Sequence, residues 1–165
     1  MTARVSRRMS PASGVLLGIG LGGFVDGIVL HQILQWHHMV TSAGYPADSV
    51  ANLRLNTLFD GLFHAFTWVA TAVGIWLLHR QVRGGAHWSG RVLFGGALMG
   101  WGGFNVVEGI VDHHVLGLHH VREGAANPLV WDLGFLALGV VLLLGGWALL
   151  ARERPEAASR IRRAA

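Results

Sequence analysis

The sequence predicts an all-α fold: a four-helix transmembrane bundle built as a parallel two-helix repeat, with both termini cytoplasmic. Three observations carry this reading. The 165 residues are 52% apolar and only 13% charged, about half the charged share of an ordinary soluble domain. Four segments, 13–38, 56–79, 91–118 and 128–151, are long and apolar enough to cross a hydrocarbon core of about 30 Å as helices. In addition, thirteen residues of the third segment repeat thirteen of the first.

The first segment follows MTARVSRR and imitates a signal peptide, but its apolar run continues past Asp26 to His31 without a small-residue cleavage site, so it reads as a retained helix. Residues 1–12 form a basic cytoplasmic N-terminus. Gly14, Gly18 and Gly22 recur at four-residue spacing, the small-residue face that lets helix backbones approach in lipid. The connection 39–55, with Gly-Tyr-Pro-Ala-Asp, reads as an irregular loop. The second segment carries Asp60 and His64 one turn apart. The 79–91 connection holds Arg80, Arg83 and Arg91, with His79 and His87 as solvated neighbours. The third segment repeats the glycine spacing at Gly96 and Gly100 and carries Glu108, Asp112, His113 and His114. A short connection, 119–127, leads to the fourth segment with Asp132, and residues 152–165 form a polar cytoplasmic tail expected to fray.

All 13 basic residues are arginines, and eleven lie in the N-terminus, the 79–91 connection and the tail. The positive-inside rule places those three in the cytoplasm, giving a multi-pass protein of a bacterial inner membrane with lipid as its main partner. The sequence pI of about 11.3 does not indicate nucleic acid as a partner, because the arginines bracket apolar spans instead of forming a patch. The absence of cysteine excludes disulfides, thiolate zinc sites and iron–sulfur ligation. Several of the seven tryptophans fall at span ends, where they anchor the interface.

DGIVLHQILQWHH at 26–38 aligns with EGIVDHHVLGLHH at 108–120, with seven of thirteen positions identical, and GLGGF at 20–24 matches GWGGF at 100–104 if two residues are inserted. LFDGLFHAF (58–66) and VWDLGFLAL (130–138) correspond more loosely. Ionisable groups inside a span cost about 2.5–3.5 kcal/mol each on insertion scales. These must therefore be paired, hydrated or metal-bound. Depth along the helices puts His31, Asp60, Asp112, His113 and Asp132 in one layer near the outer leaflet. A wheel of 100° per residue aligns Asp26 with His37, His31 with His38, and Glu108 with Asp112 and His119.

The expected metal ligands are His31, Asp60, His64, Glu108, Asp112 and His113. Asp26 and Asp132 are further ligands or acceptors that orient imidazoles, and the pairs His37–His38 and His119–His120 mark an access route or an interfacial anchor at the outer surface. Carboxylate and imidazole without thiolate suit a divalent transition metal, iron, zinc or manganese before copper. Three function classes follow: an oxygen-dependent oxidoreductase acting on a lipophilic or quinone-like substrate; transport of metal ions or protons, or metal delivery to a respiratory oxidase; and a bis-histidine haem protein using His31 and His113. The glycine faces also suit a homodimer.

The motifs GFVDGIVLHQILQWHH, LFDGLFH and NVVEGIVDHHVLGLHH together resemble the bacterial membrane proteins grouped as domain of unknown function 2243, over about Gly14 to Leu150. The resemblance implies four helices. It also implies a link to respiratory metal handling, since some members occur beside or fused to a copper-related oxidase assembly protein.

Overall fold

In the computed structural model the backbone is described for residues 7–164 and side chains for 8–153. Arg4 and the side chains of Arg7, Arg154, Arg160, Arg162 and Arg163 lie outside the described residues. Among the described residues the chain is helical, with four long helices and one minimal parallel ladder. Helix α1 (Ala12–Val25) continues without interruption into a π-helical segment, π1 (Asp26–Ile33). Helix α2 spans Val50–Arg83, and α3 (Gly90–Glu108) continues into a second π-helical segment, π2 (Gly109–Val115). Helix α4 runs from Pro128 to Ala164, so it extends through the tail that was expected to fray. The ladder pairs β1 (Arg7–Arg8) with β2 (Ala86–His87) and ties the N-terminal segment to the α2–α3 connection.

Local chemistry sets the helix starts. The Ser49 and Ser89 hydroxyls accept from the amides of Asn52 and Val92, capping α2 and α3. Pro128 opens α4 where its missing N–H is not needed. Three helical stretches are long and apolar enough to cross a membrane: Ala12–Ile33, Val50–Arg83 and Pro128–Glu153. Helix α3 falls outside that set, although a fourth span was expected there. It packs against both α1 and α4, so it buries glycine, Asn105 and Glu108 where a lipid-facing helix needs apolar side chains.

The helices stand in the order α2, α1, α3, α4, with α1 and α3 at the centre. Glycine makes that possible. A methyl group on Gly18 would lie 1.9 Å from the carbonyl oxygen of Ala97, and one on Gly100 would lie 2.0 Å from that of Val15. Each position is 82 residues from its counterpart, and ascending residues meet ascending residues, so α1 and α3 run parallel. The same 82-residue spacing relates Gly14 to Gly96 across this seam, which leaves no place for the inserted pair inferred from GLGGF and GWGGF. Gly14, Gly18, Gly96 and Gly100 pack within the chain.

Burial is inverted relative to a soluble protein. Most of the deeply buried side chains are polar, while Leu62, Trp68, Val141 and Trp147 are each more than half exposed. Such a surface suits lipid.

The helical parts of the first and third segments end at Ile33 and Val115, short of the expected 38 and 118. The chain then turns through left-handed backbone at Gln35 (φ 48°) and Gly117 (φ 59°), again 82 residues apart. Segments 34–49 and 116–127 fold back over this end of the helices and hold each other: the Ser42 amide donates to the Leu118 carbonyl (2.9 Å), and the Glu123 amide to that of Trp36 (3.0 Å). Buried Asn56 ties the first of these segments to α2, accepting from the Val40 amide and donating to the Tyr45 carbonyl.

Candidate metal centre

The π-helical segments decide which side chains meet. Five residues along an α-helix place two side chains about 140° apart. A π-helix hydrogen-bonds i to i+5, so such residues stack one turn apart. Asp26 and His31 sit at the two ends of that interval, and Asp26 Oδ2 lies 3.2 Å from His31 Nε2. Glu108 and His113 repeat the spacing across π2.

Two groups of three result, both completely buried: Asp26, His31 and His37, and Glu108, His113 and His119. Within each group one potential ligand atom per residue lies within 4.8 Å of the others. The backward fold of the loops supplies the third member each time, because it carries His37 and His119 inward from the surface position expected for them. Their rings stack at 4.5 Å with planes 4° apart, His37 also meets His31 edge-on at 4.3 Å, and His119 meets His113 at 4.8 Å. Four imidazoles thus form one continuous chain between the triads.

In three of the four rings Nδ1 is held by an acceptor, and in the fourth, His113, it stands beyond hydrogen-bond distance of one. His31 Nδ1 is 2.9 Å from Asp60 Oδ1, and His113 Nδ1 is 3.6 Å from Asp132 Oδ1. His37 Nδ1 lies 2.8 Å from the Val121 carbonyl, and His119 Nδ1 3.2 Å from that of Met39. In His31, His37 and His119 an acceptor on that side places the N–H at Nδ1 and leaves a lone pair at Nε2. The Nε2 atoms of all four rings, with Asp26 Oδ2 and Glu108 Oε2, are buried without a hydrogen-bond partner. Buried acceptors rarely remain so. Burial, with His119 and His31 as neighbours, pushes the His37 pKa far below the imidazole range, and burial beside His113 and His31 pushes that of His119 down to about 3. Both loop histidines are therefore neutral, the form that binds a metal.

The expected site residues divide in a definite way. His31, Glu108 and His113 are in the triads, joined by Asp26, His37 and His119. Asp60 and Asp132 stand behind them. Asp60 accepts from His31, His38 (2.6 Å) and the Met39 amide (3.0 Å). Asp132 accepts from His120 (2.7 Å) and the Val121 amide (2.9 Å). His38 and His120 are thereby tied to these carboxylates and reach the surface side. His64 lies in neither triad. It packs on Gly27, whose Cβ position is 2.4 Å from His64 Nε2, and Leu136 packs on Gly109 in the corresponding place. Asp112 is half-buried beside Glu108 in a groove open to the lipid face, outside the triads.

The local chemistry fits divalent cations. Ligands at about 2.0–2.2 Å in a tetrahedral shell stand roughly 3.3–3.6 Å apart. The Asp26–His31 approach of 3.2 Å is close to that, and Glu108 Oε1–His119 Nε2 at 3.8 Å is slightly wider. Among the described residues the four buried carboxylates are paired with imidazoles and not with arginine. Two divalent ions would balance four carboxylates. Arg122 is held elsewhere, at the rim, with its guanidinium over Trp36 and Trp131.

One signal in the sequence pointed to the triads: acid-x-x-x-x-His occurs in both copies, as Asp26 to His31 and Glu108 to His113, with the conserved-in-both HH pair following. The i,i+5 interval has no meaning on an α-helical wheel, which hid it.

A family model described as a predicted membrane protein, DUF2243, matches residues 13–153. No curated protein and no solved structure matches the chain.

Proposed function

The chain belongs to the DUF2243 family of predicted membrane proteins, and on that premise we propose that it is an integral membrane metalloprotein with a resident two-metal centre. Asp26, His31 and His37 hold one ion, and Glu108, His113 and His119 hold the other. Two observations carry this: each of two matched triads brings three potential ligand atoms within 4.8 Å of one another, and Asp26 Oδ2, Glu108 Oε2 and all four Nε2 atoms are buried without a hydrogen-bond partner. A proton on His31 would satisfy Asp26 and Asp60 at once, but it would leave Glu108 Oε2 and the other three Nε2 atoms unserved. A cation in each triad serves all six.

The chain is organised as a parallel two-helix repeat about an axis between α1 and α3. Contacts related by 82 residues in the first and third helices, and by 72 in the second and fourth, support this. His37 to Val121 and His119 to Met39 are one such pair, and His38 to Asp60 and His120 to Asp132 are another. The arginine distribution supports cytoplasmic termini and a centre near the outer leaflet.

Imidazole and carboxylate donors without thiolate favour iron, manganese or zinc over copper. Iron or manganese held there would supply oxygen-dependent oxidation, while Asp60 and Asp132 would support the imidazoles and the triad residues would hold the ions. A resident centre is favoured over a transport route because backbone contacts at Gly18 and Gly100, about 12 Å along the helices from Asp26 and Glu108, close the α1–α3 seam. It is favoured over bis-histidine haem because the His37–His119 stack stands between His31 and His113.

Elemental analysis of protein purified without added metal tests the proposal. It predicts two transition-metal ions per chain, falling to at most one in His37→Ala or His119→Ala. Metal-free wild type that takes up no stoichiometric iron, manganese or zinc would refute it.

A further inference from the structure

Where α1 starts, about 21 Å along that helix from Asp26, the chain leading into α1, the end of α2 and β2 border a groove of about 370 Å³. Arg8 and Arg80 line it, and both are exposed. Other contacts fix where they stand. The β1–β2 ladder pairs Arg8 with His87, and the Gln81 side chain pins the next residues, accepting from the Ser10 amide at 2.7 Å and donating to the Ser13 hydroxyl at 3.2 Å. Arg80 lays its guanidinium 4.7 Å from the centre of the Trp76 ring. Among the described residues neither guanidinium has a carboxylate within 4.0 Å. Glu153 borders a neighbouring groove with Arg8 but forms no such pair with it.

The start of α1 and the end of α2 meet here with opposite dipoles, which cancel, so the two arginines set the charge of the groove. Its occupant is therefore an anion. The level of the groove in the molecule names the source. Val50–Arg83 is long and apolar enough to cross a membrane, and Ile75 and Trp76, 57% and 52% exposed, are the last large apolar side chains exposed on α2 before Arg80. An exposed tryptophan one turn before an arginine marks the boundary between hydrocarbon and headgroups. Phosphodiesters lie at that boundary, and a guanidinium binds phosphate through its fork of donors. A choline headgroup would bring a third positive charge into the groove, which favours a lipid of net negative charge. We propose that Arg8 and Arg80 together hold the phosphate of an anionic phospholipid whose acyl chains lie along Trp76. This site is independent of the metal centre.

The test uses full-length protein in an uncharged detergent. Dioctanoyl phosphatidylglycerol is titrated in and bound lipid is counted by native mass spectrometry, with dioctanoyl phosphatidylcholine and glycerol phosphate as comparisons. The expected result is saturable binding of phosphatidylglycerol, with both comparison compounds roughly tenfold weaker or worse. Arg8→Gln and Arg80→Gln should each weaken it roughly tenfold, the loss of one charge-assisted contact. Arg83→Gln should leave it unchanged, because Arg83 is exposed one turn from Arg80 but does not line the groove. Equal binding of phosphatidylcholine would overturn the proposal, as would equal binding of glycerol phosphate, which marks a site for soluble anions. An equal loss in Arg83→Gln, which marks diffuse attraction to a basic surface, would overturn it as well. The comparison of the three compounds needs no variant, so it holds even if a substitution disturbs the fold.

Discussion

Replacing Asp60 with asparagine changes one atom of a group that organises half of the centre. The carboxylate accepts from His31 at 2.9 Å, from His38 at 2.6 Å and from the Met39 amide at 3.0 Å. Asparagine keeps one acceptor and turns an N–H₂ toward a ring N–H, so at least one charge-assisted bond worth about 1.5–3 kcal/mol is lost. His31 is then free to change tautomer or rotate, and its Nε2 no longer points steadily at Asp26. Loss of such a supporting carboxylate typically lowers metal affinity 10–100-fold, or about 1.4–2.7 kcal/mol. Asp132→Asn is the internal control. His113 stands 3.6 Å from Asp132, beyond a hydrogen bond, so the loss there should be several-fold smaller. Competition with a chelator of known affinity, on detergent-purified protein, reads both constants. Unchanged affinity in Asp60→Asn, or a larger loss in Asp132→Asn, would refute the assignment of Asp60 as the group that orients His31.

Three further outcomes follow from the fold. Gly18→Ala puts a methyl group against the Ala97 carbonyl and should cost about 3 kcal/mol or prevent folding, whereas Gly61→Ala, with open space around it, should stabilise by up to about 1 kcal/mol; thermal unfolding in detergent compares them. Gln35→Gly should raise the midpoint by relieving left-handed backbone worth about 1 kcal/mol, and Gly117→Ala should lower it by a similar amount. For the metal-free protein, the His119 pKa of about 3 lies below its ordinary 6.5. The unfolded chain therefore binds the proton first on acidification, and the stability from a neutral His119 is full above pH 6.5 and is lost as pH falls toward 3. His119→Gln should flatten the dependence of the unfolding midpoint between pH 6.5 and 4, and an unchanged slope would contradict this.

The helices and the membrane habit were legible because they rest on length and composition, which lipid constrains tightly. Axial position was legible in part: of the expected layer, His31 meets Asp60 and His113 approaches Asp132, while Asp112 stays outside the triads. Rotation was not. A fixed 100° per residue set Asp26 with His37 and His31 with His38, whereas the π-helical turns bring Asp26 to His31. The inward return of His37 and His119 was hidden for a related reason: it depends on the left-handed turns at Gln35 and Gly117 and on the crossed Ser42–Leu118 and Glu123–Trp36 bonds between loops. Only Gly117 advertises such a turn, and Gln35 does not. His64 looked equivalent to a ligand because it lies one helical turn from Asp60, but Gly27 opposite it marks a packing position, matched by Leu136 on Gly109.

The central claim is that cations occupy the two buried triads, and anomalous scattering from crystals of the protein purified without added metal tests it most directly. Data collected on either side of the absorption edge of the metal found by elemental analysis should show two peaks, one among Asp26, His31 and His37 and one among Glu108, His113 and His119. A map with no peak at either triad, or with its only peak beside His64 or Asp112, would contradict the account.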